Sequence, residues 1–287
     1  MTTHTLHLPD VELVYDVLGP LPTADGRPPL LMIGQPMCAD GFTSLAAQFP
    51  DRTVVTYDPR GLGRSVRSDG LDTSVPETQA ADLHALITEL DAGPVEVFGS
   101  SGGAITGLAL VTAFPQDVTT LVGHEPPLIA SLPDADAARR AQVGYLDAYE
   151  SKGFGAGMAA FIAMTSWQGE YTDEFFAQPA PDPAAFGLPT EDDGARDDSL
   201  LSNRAVPVTA YELDAAALTA APTRIVIGVG EESATVFTGR TGFATAAALG
   251  LKATMFPSHH GGFLGGEHGY AGKPEEFART LREVLAG

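Results

Sequence analysis

Cysteine is almost absent from this chain of 287 residues. Cys38 is the single one, so no disulfide can form within the chain, and the usual sign of an oxidising compartment is missing. No apolar run approaches the roughly 20 residues that a transmembrane helix needs. The first residues, 1–5, also lack the basic and apolar regions of a signal peptide. We therefore expect a cytoplasmic protein that does not associate with a membrane.

Positive charge is also scarce. The chain carries 16 Lys and Arg against 37 Asp and Glu, a formal net charge of −21. Such a surface repels phosphate backbones and anionic lipid headgroups, which argues against nucleic acid or a membrane surface as a partner. It favours a neutral or cationic small-molecule substrate, although acidity can also serve solubility alone. The oligomeric state stays open, with a homodimer among the alternatives.

Short apolar runs alternate with amphipathic, alanine-rich stretches along most of the chain. The predicted strands are 5–8, 12–18, 29–34, 53–57, 95–98, 119–123, 224–229 and 253–256. The helices predicted between the later strands are 42–49, 76–91, 102–114, 239–249 and 274–285. This alternation, with strands that are apolar on both faces, predicts an α/β fold with a mainly parallel, twisted sheet between helix layers. The first two strands form an antiparallel pair.

The alternation is interrupted after the sixth predicted strand. Residues 127–218 carry helix candidates at 135–150 and 155–166, followed by a segment rich in Pro, Asp and Gly. The interruption is too long for a connection between a strand and the next helix. We expect a helical lid at 128–218, inserted into a core of residues 1–127 and 219–287, over the sheet edge where ligands bind.

Large apolar side chains concentrate in this predicted lid. They either line a substrate pocket or pack the lid's own small core, because pockets and cores use the same side chains. The candidates for the pocket are Met37, Phe161, Met164 and Trp167.

The pattern G-x-S-x-G occupies residues 99–103, between the predicted strand 95–98 and the predicted helix 102–114. Glycines allow a sharp strand-to-helix turn that strains the backbone of the central serine. The turn exposes the hydroxyl of Ser101 at a helix N-terminus, where partial positive charge favours a developing anion. This context predicts that Ser101 is a nucleophile. A serine needs a base, because its hydroxyl is a poor nucleophile unaided.

Two further motifs accompany this turn. Residues 58–65 read Asp-Pro-Arg-Gly-Leu-Gly-Arg-Ser, and Pro-Ser-His-His at 257–260 follows the last predicted strand. Together with the turn at Ser101, they resemble the α/β-hydrolase superfamily over nearly the whole chain. The resemblance implies a serine hydrolase whose base is His260, since the family's Pro-Gly-x-His pattern maps onto 257–260. His259 stays an alternative, because periodicity cannot separate adjacent histidines.

The acidic partner of the histidine departs from the family's usual pattern. Most members carry an Asp after the strand that follows the lid, and here Ser233 stands in that position, beside Glu231 and Glu232. Glu125 ends the strand after the nucleophile helix instead. The stretch 99–125 is similar to the zearalenone-type lactone hydrolases, which implies Glu125 as the acid. A glutamate that closes a buried strand also needs a partner. Glu231 and Glu232 stay open as alternatives.

An oxyanion hole is expected from two backbone amides. Gly102 follows the nucleophile, and Gln35 lies in the loop after the third strand, where Ile33 replaces the family's usual His. Such donors stabilise the tetrahedral intermediate.

No metal or cofactor is expected. The cluster of His259, His260, Glu267 and His268 lacks the helical spacing of a zinc site, and no glycine motif matches a nucleotide-binding loop.

These features predict cleavage of a carboxylic ester or lactone with an apolar body, through an acyl-enzyme on Ser101. The same residues could run other chemistry, such as hydrolysis of a C–C bond or cofactor-free perhydrolysis. A non-catalytic module that binds a ligand in the pocket is a further alternative.

Overall fold

The computed structural model describes all of residues 1–287. Its centre is a nine-stranded sheet in the order β1-β2-β4-β3-β6-β7-β8-β9, with β5 paired to β2. The strands are β1 (Thr2–Leu8), β2 (Val11–Leu18), β3 (Leu30–Ile33), β4 (Val54–Tyr57), β5 (Val66–Arg67), β6 (Val95–Ser100), β7 (Val118–His124), β8 (Arg224–Gly230) and β9 (Thr254–Phe256). The six strands β3, β4 and β6 to β9 run parallel. The antiparallel pair β1–β2 extends one edge, so the predicted α/β fold class is confirmed.

The strand order reverses direction beside β3. The chain passes from β3 outward to β4 and then returns to β6 on the other side of β3. At such a switch point the loops after two neighbouring strands separate and leave a crevice at the carboxyl edge of the sheet. The loops after β3 and β6, which carry Gln35 and Ser101, therefore lie next to each other.

Helices cover both faces of the sheet. They are α1 (Thr43–Ala46), α2 (Pro76–Leu90), α3 (Gly102–Ala113), α4 (Ala135–Lys152), α5 (Phe154–Ser166), α6 (Asp173–Phe176), α7 (Val206–Thr209), α8 (Ala215–Ala220), α9 (Phe237–Ala248) and α10 (Pro274–Ala286). One core cluster joins the sheet to α2 and α3, and another joins it to α1 and α10. The helix layers on the two faces explain why every residue of β3 and β4 is buried, without alternation. No helix is both long and apolar enough to cross a membrane.

The insertion lies between β7 and β8 and holds α4 to α8. Because the short strand β5 escaped prediction, the strand before the insertion is the seventh and not the sixth. The helices α4 and α5 pack against each other and, with the following segment up to Leu201, enclose a separate apolar cluster. We call residues 129–202 the lid.

The last part of the predicted lid packs differently. Val208, Tyr211 and Leu218 belong to the core cluster on the α3 side of the sheet. The helices α7 and α8 lie against α3, so we do not include them in the segment that we call the lid.

The lid is tied to the core by a buried ion pair. Asp134, which precedes α4, contacts the guanidinium of Arg240 on α9. The same carboxylate accepts the backbone N–H of Tyr171 at 2.8 Å. Both charged side chains are largely buried, so this contact fixes one end of the lid to the sheet domain.

Candidate active site

Ser101 lies on a strained turn between β6 and α3. Its backbone has φ +57° and ψ −125°, which few residues other than glycine adopt. A Cβ on Gly103 would lie 2.3 Å from the carbonyl oxygen of Ile33, so only glycine lets α3 start this close to β3. The turn predicted from G-x-S-x-G is present, and it sets Ser101 at the first turn of a buried helix.

His260 and Glu125 meet although 135 residues separate them in the sequence. His260 Nδ1 lies 2.7 Å from Glu125 Oε2. The other carboxylate oxygen, Oε1, accepts the backbone N–H of Gly230 at 2.8 Å. Glu125 is fully buried and has φ +48°. Both carboxylate oxygens therefore have partners, as a buried carboxylate requires.

The protonation of Glu125 follows from these contacts. Burial is the largest single effect and by itself raises the pKa of its carboxyl. The hydrogen bond from His260 and the weaker effects of the neighbouring histidines and of Thr238 together outweigh burial, and the pKa falls from 4.5 to about 2. Glu125 is therefore ionised at neutral pH and can stabilise a positive charge on His260.

The alternative candidates for the base and the acid do not take part in this contact. His259 accepts the N–H of Gly261 at its Nδ1, and Glu232 pairs with Lys273 at 3.3 Å on the exposed rim. Glu231 is exposed and makes no side-chain contact with either histidine. Glu125 is thus the carboxylate that contacts a histidine beside the serine.

Ser101 and His260 line the same cavity. No hydrogen bond joins the Ser101 hydroxyl to His260 in this conformation, and catalytic contacts of this kind often shorten only in the complex with substrate. The backbone N–H of Ser101 donates to the carbonyl of His124 at 2.9 Å, which fixes the turn against β7.

Two amides are free beside the serine. The N–H groups of Gln35 and Gly102 donate no hydrogen bond within the protein. The two backbones touch, since a Cβ on Gly102 would lie 2.7 Å from the carbonyl oxygen of Gln35. The side chain of Gln35 is held by Ser74 at 2.7 Å. This pair of amides is the arrangement expected of an oxyanion hole.

The cavity has a volume of about 380 Å³ and opens between the sheet edge and the lid. Its apolar lining comes mostly from the lid and from α7 and α9: Pro127, Ile129, Phe161, Ile162, Met164, Leu200, Val208, Val236 and Phe237. Of the predicted pocket residues, Phe161 and Met164 line it. A site for a metal is not formed, because no three His, Cys, Asp or Glu side chains cluster suitably.

Two predicted pocket residues lie elsewhere. Met37 lines a different cavity, behind the loop after β3. The indole of Trp167 packs edge-on against Phe175, 5.3 Å between ring centroids, and donates to the carbonyl of Glu170. Neither residue lines the cavity beside Ser101. Size and apolarity, on which their prediction rested, do not reveal which way a side chain points.

Polar residues of the cavity escaped prediction. Gln142, Tyr145 and Thr209 line it from α4 and α7. A signal existed for Gln142: it falls within the buried stripe of α4, between Ala141 and Tyr145. A polar residue on the apolar stripe of a helix indicates a partner or a site.

The sheet order, with a serine on the turn after β6 and a histidine after β9, defines an α/β hydrolase. The chain belongs to the alpha/beta hydrolase fold family, whose model matches residues 28–184.

The chain is similar to the uncharacterized hydrolase YraK of Bacillus subtilis, 36% identical over 129 residues. That match spans 45% of this chain and 46% of YraK, so the chain covers less than half of this relative.

Two solved structures resemble it throughout. A thermophilic esterase from Thermogutta terrifontis has a TM-score of 0.65 at 18% identity and covers 100% of this chain and 98% of its own. The enol-lactonase from Burkholderia xenovorans has a TM-score of 0.65 at 17% identity, covering 99% and 100%. At these sequence identities, the two structures support the fold of this chain and nothing more.

Proposed function

We propose that the protein hydrolyses a carboxylic ester or lactone with an apolar body, through an acyl-enzyme on Ser101. The observation that carries this proposal is the 2.7 Å contact between Glu125 and His260 in the wall of the cavity that Ser101 also lines. A buried, ionised carboxylate behind a histidine and a serine on a strained turn are the parts that this chemistry needs.

In the acylation step, His260 takes the proton of Ser101 as the oxygen attacks the carbonyl carbon. The negative charge moves to the carbonyl oxygen, where the amides of Gln35 and Gly102 donate to it. Glu125 stabilises the resulting imidazolium. His260 then gives its proton to the leaving alkoxide, which for a lactone stays tethered to the acyl group.

Deacylation repeats these roles with water. His260 accepts a proton from water as its oxygen attacks the acyl carbon, and it returns the proton to Ser101 as the ester bond breaks. The products are a carboxylic acid and an alcohol, or one hydroxy acid from a lactone. No redox step or added group is needed.

The lining of the cavity supports the substrate class. Its walls are mainly apolar, which suits a substrate body without charge. The acidic rim residue Glu232 and the chain's charge of −21 disfavour anionic substrates.

Covalent labelling tests this proposal. We expect a p-nitrophenyl phosphonate to release one equivalent of nitrophenol and to modify the peptide that contains Ser101, identified by mass spectrometry. The variant Ser101→Ala should not react, whereas Ser100→Ala, which changes the buried neighbouring serine, should react as the wild type does. Turnover of short p-nitrophenyl esters and of δ-valerolactone should follow the same pattern.

The other outcomes identify the alternatives. Labelling of Ser101 without turnover of any ester or lactone would contradict the substrate class and favour other chemistry on the same residues. A folded wild type that does not react with the phosphonate would contradict catalysis at Ser101 and favour a ligand-binding module.

A further inference from the structure

The mainly apolar cavity contains one buried polar cluster that the acyl-transfer steps do not use. It consists of Gln142 and Tyr145 on α4 and of Thr209 on α7, all of which line the cavity. Gln142 is 8% exposed and Tyr145 is 5% exposed. Buried polar groups in an apolar wall are costly unless they have partners, in the protein or in a ligand.

The hydrogen bonds fix the orientation of the Gln142 carboxamide. Thr209 Oγ1 donates to the carbonyl of Val206 at 3.2 Å, which uses its only proton. It can therefore only accept from Gln142, so the group 2.7 Å away is the amide nitrogen, Nε2. The same nitrogen points to the Tyr145 hydroxyl at 3.4 Å.

This orientation leaves one acceptor and one donor unused. Gln142 Oε1 accepts no hydrogen bond from the protein, and it is not among the buried atoms sealed from solvent. The Tyr145 hydroxyl receives the contact from Gln142 and donates to no protein acceptor. The Tyr145 ring is held edge-on by Phe161, with 5.3 Å between centroids.

The cluster lies on the side of the cavity near the oxyanion hole. Val208, which precedes Thr209, has its Cγ1 3.0 Å from the place where a Cβ on Gly102 would stand. The cavity wall formed by α7 therefore touches the backbone of the oxyanion hole, and the polar cluster begins at the next residue, Thr209.

We propose that Gln142 and Tyr145 recognise a secondary amide in the substrate, within a few bonds of the carbonyl that Ser101 attacks. The amide N–H donates to Gln142 Oε1, and the amide oxygen accepts from the Tyr145 hydroxyl. Because the free acceptor and donor belong to different side chains, a group with its donor and acceptor on separate atoms fits them. This inference rests on the proposed esterase or lactonase function.

A matched pair of esters tests it. The p-nitrophenyl esters of N-acetylglycine and of pentanoic acid have acyl chains of equal length, and only the first carries an amide. We expect Gln142→Leu and Tyr145→Phe each to lower the ratio of kcat/KM for the amide ester to that for the alkyl ester, by about 3- to 10-fold. Comparing ratios between variants cancels the different intrinsic reactivities of the two esters.

Thr165→Val is the control. Thr165 lines the same cavity, but its hydroxyl donates to the carbonyl of Phe161 in its own helix, so the ratio should not change. Equal losses for both esters in Gln142→Leu and Tyr145→Phe, or an unchanged ratio, would overturn the amide site.

Binding separates this proposal from the proposed function. We expect Ser101→Ala to bind N-acetylglycine methyl ester more tightly than methyl pentanoate in a ligand-observed NMR titration, and we expect Gln142→Leu in that background to abolish the preference. If the wild type hydrolyses neither ester but Ser101→Ala prefers the amide ligand and the preference depends on Gln142, the proposed hydrolase function is contradicted and the amide site is supported. If Ser101→Ala shows no preference, the amide site fails whatever the turnover.

Discussion

Glu125 at the end of β7 accepts a hydrogen bond from the backbone N–H of Gly230, the last residue of β8, at 2.8 Å. The contact brings a carboxylate from one strand to the end of the next. In most members of the superfamily the acid follows the strand equivalent to β8. In this protein β8 contributes only a backbone N–H donor. Ser233, in the expected position of the acid, is buried and uncharged. His260 thus contacts a carboxylate at this edge of the sheet, although the carboxylate belongs to Glu125 after β7 and not to a residue after β8.

The turn at Ser101 depends on the missing side chain of Gly103. We expect Gly103→Ala to destabilise the protein by about 1–3 kcal/mol, because its Cβ would lie 2.3 Å from the backbone oxygen of Ile33. Gly144→Ala is the control: Gly144 is exposed in α4 with open space at its Cβ, and alanine there should stabilise by about 0.5–1 kcal/mol. Urea unfolding measures both. Equal effects of the two changes would contradict the close approach.

Much of the fold could be predicted from local patterns. The parallel strands, the helix after Ser101 and the long helices of the lid follow from apolar runs and periodicity, and the structure has them within a few residues of the predicted bounds. The strand β5 has only two residues and no apolar pattern, so nothing local indicated it.

The site was predictable where a residue type has few alternative roles. Glu125 could be singled out because the stretch 99–125 resembles the lactone hydrolases and because a glutamate at the end of a buried strand needs a partner. The structure places His260 beside it. The pocket residues were harder to predict, because the sequence does not reveal the direction in which a side chain points. Phe161 faces the cavity, whereas Trp167 faces Phe175.

His124 makes stability depend on pH. Its imidazole is fully buried among phenylalanine rings, and burial lowers its pKa from 6.5 to about 4. The unfolded chain binds a proton at this residue below pH 6.5 and the folded protein does not until about pH 4. Its contribution to stability is therefore complete above pH 6.5 and is lost as the pH falls toward 4.

We expect His124→Phe to weaken this dependence. Between pH 7 and pH 5, the free energy of unfolding of the wild type should fall by about 2 kcal/mol more than that of His124→Phe. His7→Gln, which changes an exposed histidine, should follow the wild type. Urea unfolding at the two pH values is the measurement, and equal losses in wild type and His124→Phe would contradict burial of a neutral ring.

The ion pair between lid and core should contribute more to the free energy of unfolding than an ion pair on the surface does. Asp134→Ala leaves Arg240 buried without its partner and also removes the acceptor for the N–H of Tyr171. We expect a loss of about 3–5 kcal/mol in the free energy of unfolding. Asp136→Ala, which breaks an exposed pair with Arg139, should change little. A small effect of Asp134→Ala would show that the contact does not hold the lid.

Phe161 should influence acyl-chain preference and Trp167 should not. Phe161 lines the cavity, so Phe161→Ala should lower kcat/KM for p-nitrophenyl hexanoate relative to the acetate by about 10-fold. Trp167→Ala removes a ring that packs outside the cavity and should leave that ratio unchanged. If Trp167→Ala changed the ratio and Phe161→Ala did not, the assignment of this cavity as the acyl-chain pocket would be contradicted.

The most direct test of the acid is the kinetic comparison of Glu125→Gln with Glu232→Gln. Glutamine at 125 keeps an oxygen for the N–H of Gly230 but cannot stabilise a charged His260, so kcat for p-nitrophenyl butyrate should fall by about 10²- to 10⁴-fold. Glu232→Gln removes only a rim carboxylate paired with Lys273 and should keep most of the activity. Thermal unfolding of both variants confirms that each is folded. If folded Glu125→Gln stays active while Glu232→Gln fails, the acid is not at the end of β7 and the account of the site is wrong.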